Sequence, residues 1–241
     1  MKNEKDIIKQ SASVFLMLLI SADLVFIALH LIYLLTSLLH LSYYDLSIDK
    51  SFSEVYQYIK WFWIVILFAY IARAKSSFTY LSWAVLFAYL LMDDALRFHE
   101  HAGYFFEDNL SFTPPLGLRL QDMGELTITA ISSIFLFSVI AWSYQHGTQA
   151  FKKMSLNILL LTFALAFFGI FIDMVHSMVR SHGALEATFL VIEDGGEMLV
   201  ASLIVWYVFL SLSNESDAPD FYSLLRLAFS RSKYTASISE T

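Results

Sequence analysis

Apolar residues run in six long blocks along the chain, near 11–41, 56–73, 79–101, 126–145, 156–180 and 186–212, with short polar stretches between them. Each block is long enough to cross a hydrocarbon core of about 30 Å as a helix. The pattern predicts an all-α fold: a polytopic membrane bundle of six transmembrane helices. The first block is too long for the apolar region of a signal peptide. It also ends at Leu39-His40-Leu41 without a small-residue cleavage signature, so it is read as a helix.

Residues 1–212 are expected to form this bundle and 213–241 a separate tail. In the tail, Phe221, Leu224, Leu225 and Ala228 recur at helical spacing beside Arg226, Arg231 and Lys233. That suits an amphipathic helix on the inner leaflet, the other reading being an unstructured tail that carries orientation charges. The segment Gly103–Glu125, broken by Pro114, Pro115 and Gly117, reads as a connecting loop or as a lid over the outer mouth.

Composition agrees with the pattern. Hydrophobic residues make up 58% of the 241 and charged ones only 15%, against about a quarter charged in ordinary globular chains. Lys and Arg cluster at 2–9, 73–75, 152–153 and 226–233, all on one side of a six-helix topology. The positive-inside rule makes that side the cytoplasm, with both termini there. The expected location is a bacterial-type inner membrane. The net charge of −7 then belongs mainly to the outer face and the membrane interior, and argues for no nucleic-acid partner. With no cysteine, disulfides and thiolate metal sites are excluded.

The informative departure is polar residues inside apolar blocks: Asp93, Asp94, His99 and Glu100, then Asp173 and His176, then Glu193 and Glu197. Intramembrane ionisable groups are costly, face the bundle interior and mark functional sites. At 1.5 Å per residue, Asp94, Asp173 and Glu193 each lie about 10 Å below the outer boundary. His30 follows at about 15 Å, with Asp23 one heptad deeper on nearly the same face. Three helices thus deliver acid to one depth, and a fourth is placed to contribute.

In the third block, Asp93, Arg97 and Glu100 share a helical face while Asp94 and His101 share a neighbouring one. His99 is expected to point away from Asp93, and Arg97 between two acids to form an intrahelical ion-pair network. Asp173 and His176, at i and i+3, have the spacing at which a carboxylate and an imidazole reach one point in carboxylate-bridged bundle sites. Glu193 and Glu197, one turn apart, repel unless a proton, a cation or Arg97 lies between them. Gly195 and Gly196 read as close-packing residues.

The stretches MDDALRFHE and VIEDGGEML resemble paired signatures, DE-x4-HE and EEGLEML, of a family of uncharacterised bacterial multi-pass membrane proteins. Asp93 and Asp94 match the first acidic pair and His99 and Glu100 the second. Glu193, Asp194, Gly195, Glu197, Met198 and Leu199 match the later motif, with departures at Asp94, Asp194 and Gly196. The resemblance implies no activity. It implies that the two acidic helices are a matched set, with His99 and Glu100 as members of the site.

Carboxylates and imidazoles without sulfur suit iron, manganese or zinc, one ion or two. The expected ligands are Asp94, His99, Asp173, His176, Glu193 and Glu197, with Glu100 and Asp94 as catalytic proton carriers. The expected activity is a metal-dependent hydrolase or oxidoreductase acting on a lipophilic small molecule from the bilayer. A proton- or cation-coupled transporter, an outer-side sensor or complex subunit, and a purely structural polar layer are the competing readings. The last is opposed by the excess of acids over Arg97 and Arg180. Oligomeric state is not legible.

Overall fold

The computed structural model describes residues 4–115, 118–179 and 184–212. Among them the chain is all-helical: α1 (Glu4–Leu35), α2 (Phe52–Ala74), α3 (Leu81–Leu96), α4 (Phe98–Asn109), α5 (Leu120–His146), α6 (Gln149–Ala166), a π-helical segment (Phe167–Ile172), α7 (Asp173–Val179) and α8 (Ala184–Leu212). The tail reading at 213–241 lies outside the described residues.

Five helices are long and apolar enough to cross a membrane: Ser11–Leu35, Phe52–Ala74, Leu120–His146, Gln149–Met178 and Leu185–Leu212. Their outer faces carry Met17, Leu18, Val25, Ile134, Phe135 and Trp142 largely exposed, as an apolar surrounding medium requires. The block at 79–101 is not one helix. It divides at Arg97, whose φ of 58° and ψ of 44° are left-handed, leaving α3 only 16 residues long.

The helix ends follow local chemistry. The Ser51 hydroxyl accepts from Glu54 N–H to start α2, and the Thr148 hydroxyl from Phe151 N–H to start α6. Arg119 N–H donates to Asp122 at the start of α5. Helix α4 and the beginning of α5 occupy much of the expected 103–125 loop. They pack closely because Gly103 and Gly124 face each other: a Cβ on Gly124 would stand 2.7 Å from Gly103 Cα.

Helix α8 is the centre of the bundle, packed on α1, α2, α6 and α7. Its most apolar window is 67% buried, against 17% for α5 at the edge. Gly195 lies against Ile27 of α1 and Gly196 against the Phe168 ring, so the glycine pair serves packing as expected. Midway along the bundle is a fully buried ion pair, Lys60 Nζ to Asp23 Oδ1 at 3.0 Å. Lys60 also donates to Met198 O at 2.8 Å, and the Ser202 hydroxyl donates to Asp23 Oδ2 at 2.6 Å.

Candidate metal centre

The π-helical segment sets up the site. A wider turn carries an extra residue against the regular helix, and such turns recur at functional sites. Here the turn ends at Asp173 and places Gly169 against α8, where a Cβ would overlap the Glu197 carboxylate. One turn beyond Asp173, His176 Nδ1 lies 2.7 Å from Glu193 Oε2 on α8. Asp173, His176 and Glu193 each offer one ligand atom, and the three atoms lie within 4.8 Å of one another. All three side chains are half-buried.

This triad forms part of the wall of a cavity of about 800 Å³. Six of the helices around it contribute acid, α6 contributing none: Glu54 from α2, Asp93 and Asp94 from α3, Glu100 from α4, Glu125 from α5, Asp173 from α7, and Glu193, Asp194 and Glu197 from α8. No lysine or arginine is among the described lining residues. The remaining wall is apolar, with Leu86 and Leu90 on α3, Leu126, Leu136 and Phe137 on α5, and Phe163 and Leu165 on α6. Phe137 and Phe163 stack with ring centroids 6.3 Å apart.

The acids expected from sequence therefore meet in one cavity, although only three form the tight cluster. Asp94 accepts from Trp61 Nε1–H at 2.8 Å. Both Glu100 oxygens are taken by Arg97, which also pairs with Asp49 at 3.1 Å. Arg97 thus does not bridge Asp93 and Glu100. His99, expected to point away from Asp93, instead lies against it: Nδ1 is 3.1 Å from Oδ2, and its backbone N–H donates to Oδ1 at 3.0 Å. The left-handed break at Arg97 turns the chain back and makes this contact possible. His30 does not reach the cavity; it accepts from Leu46 N–H at 3.1 Å and so fixes a loop that lines it.

Glu54, Gln57 and Trp61 on α2, and Asp122 and Glu125 on α5, were not foreseen from the sequence pattern. The α2 residues share one face at i, i+3 and i+7, a spacing visible in the chain once the acidic end of α2 is included. Asp122 is tied to Arg119 at 2.7 Å; this contact raises the Arg119 guanidinium further above its ordinary range.

Two carboxylates and one imidazole are a donor set for iron, manganese or zinc, and three protein ligands leave coordination positions open to the cavity. The donor chemistry and the spacing of the triad fit such an ion. The wider ring of Asp94, His99 and Glu197 belongs to the same cavity and does not join the cluster.

Residues 50–212 match the family model described as a domain of unknown function, DUF8692. No curated protein and no solved structure matches the chain.

Proposed function

The chain belongs to the DUF8692 family, and from the geometry of its cavity we propose that it is a membrane-embedded metal-dependent enzyme acting on a lipophilic substrate. The observation that carries this reading is the convergence of Asp173, His176 and Glu193 at the wall of a cavity that is acidic on one side and apolar on the other. Those three residues hold the metal. Bound there, an iron, manganese or zinc ion supplies Lewis acidity and an activated water.

The protein's own groups do the rest. Gly169 leaves room for Glu197, which sets the charge beside the cluster. Asp94, oriented by Trp61, carries protons, because Glu100 is engaged on both oxygens by Arg97. The apolar wall of α3, α5 and α6 takes the hydrocarbon part of the substrate and excludes water from it. In this reading the bundle has six spans, α3 being the short sixth. Both termini face the cytoplasm of a bacterial-type inner membrane, as the Lys and Arg placement favours.

A cation- or proton-coupled transporter is the second reading. It is supported by the Asp23–Lys60 pair, which extends charged groups below Glu197 toward the other end of the bundle.

Elemental analysis of protein purified in detergent and dialysed without chelator separates the two. The enzyme reading expects near-stoichiometric iron, manganese or zinc in the wild type, lost in His176→Ala and Glu193→Ala. Folded wild-type protein without bound metal contradicts it and favours the transporter, to be followed by flux measurements in liposomes.

A further inference from the structure

Three stretches of helix order the cavity wall in the same sense. From the acidic end inward, α3 presents Asp94 and then Leu90, and α5 presents Glu125 and then Phe137. The run from α7 back through the π-helical segment to α6 presents Asp173 and then Phe163. The cavity therefore has a polar head and an apolar foot. Phe163 lies ten residues from Asp173, about 15 Å along the helix axis. A volume of about 800 Å³ suits one hydrocarbon chain with a polar end.

The foot reaches the outer surface of the bundle. Helix α5 packs on α4 and α3 and only slightly on α6. Across that gap the Phe137 and Phe163 rings stack at 14° with centroids 6.3 Å apart. Phe163 belongs to both sides. Leu156, Leu160 and Phe163 recur at i, i+4 and i+7 and are all exposed, so they form one outward stripe of α6. Of the three, only Phe163 is also part of the cavity wall. Its ring, in a residue 60% exposed, is thus the partition between the cavity and the surrounding hydrocarbon.

A chain that arrives through this gap never meets water. Lipid and the apolar wall are about equally good surroundings for it, so nothing opposes the exchange. A chain arriving from the acidic end must first pass the carboxylates. A lipid in the leaflet on the acidic side already points head and tail as the cavity does. We propose that the gap between α5 and α6 is a lateral portal, closed by the Phe137–Phe163 pair, through which the single hydrocarbon chain of a membrane amphiphile enters from the bilayer. This deepens the enzyme reading and rests on it only in taking that amphiphile as substrate.

The test uses the full chain in lipid nanodiscs and, as probe, a long-chain alcohol ending in an alkyl diazirine. Irradiation is expected to label Leu90, and excess plain alcohol to suppress that label. Met92, 50% exposed on the opposite face of α3, is labelled by surrounding probe without suppression. The chain holds no cysteine, so a bismaleimide bridges only the introduced pair in Phe137→Cys/Phe163→Cys. Before bridging, this variant is expected to label Leu90 at least as strongly as wild type. After bridging, the label falls to the level that excess alcohol leaves. N-ethylmaleimide on Leu160→Cys, on the same stripe but off the cavity wall, is expected to leave the Leu90 label unchanged.

Absence of a suppressible Leu90 label in the wild type, or its full persistence after bridging, would overturn the proposal. Metal content measured on the same samples keeps the two readings apart. Bridge-sensitive labelling of a metal-free wild type sinks the metal reading and leaves the portal standing. A metal-loaded wild type without suppressible label does the reverse.

Discussion

The Glu197 carboxylate occupies the space that a side chain on Gly169 would fill, so the π-helical turn and the acidic face of α8 fit only while residue 169 is glycine. Gly169→Ala drives the new methyl into Oε1, the end of a flexible side chain, and Glu197 swings away. Metal affinity is expected to fall about 10- to 100-fold, as when an outer partner of a metal site is lost. Stability should drop only by the lower end of the about 1–3 kcal/mol of overpacking. Metal titration beside thermal melting in detergent checks both parts; an equal loss of both would mean that the glycine serves packing alone.

Gly124 presents the opposite case. A Cβ there would stand 2.6 Å from Ala102 O and 2.7 Å from Gly103 Cα, both backbone atoms that cannot rotate aside. Gly124→Ala is expected to push α4 off α5 and to cost at least about 1–3 kcal/mol. The cost is read from denaturation in mixed micelles, and an unchanged midpoint would show that the two helices are not in close contact.

The Asp23–Lys60 pair is fully buried and shares its hydrogen bonds with Ser202 and Met198. Removing one partner strands the other charge, so Lys60→Met alone is expected to destabilise by about 3–5 kcal/mol. Combining it with Asp23→Leu should recover most of that loss. A double-mutant cycle measures the coupling; additive losses would show that the two charges do not interact.

Arg97 holds a left-handed backbone and two acidic partners at once. Arg97→Ala and Arg97→Gly lose the same ion pairs, but alanine retains the backbone strain. The glycine variant is therefore expected to be more stable by about 1–2 kcal/mol. Equal stabilities would indicate that α3 and α4 straighten into one helix.

That break also explains where sequence reasoning stopped. Apolar block length revealed the five long helices, because burial in lipid demands it. The depth of Asp94, Asp173 and Glu193 foretold a common polar region, since helical rise is nearly constant. The same regularity misled at Arg97. A face computed for a continuous helix sent His99 away from Asp93, whereas the left-handed turn brings them to 3.1 Å. Periodicity also hid Glu54, Gln57 and Lys60, whose roles depend on which neighbours α2 meets. Nothing local in FFGIFI announces a π turn, which is stabilised by packing of Gly169 and Phe168 on α8.

The most direct test of the central claim is anomalous diffraction from crystals of metal-loaded protein, collected on both sides of the absorption edge. The account predicts one strong peak about 2.0–2.3 Å from ligand atoms of Asp173, His176 and Glu193. A well-ordered map without a peak there, with His176 and Glu193 still hydrogen-bonded to each other, would contradict it.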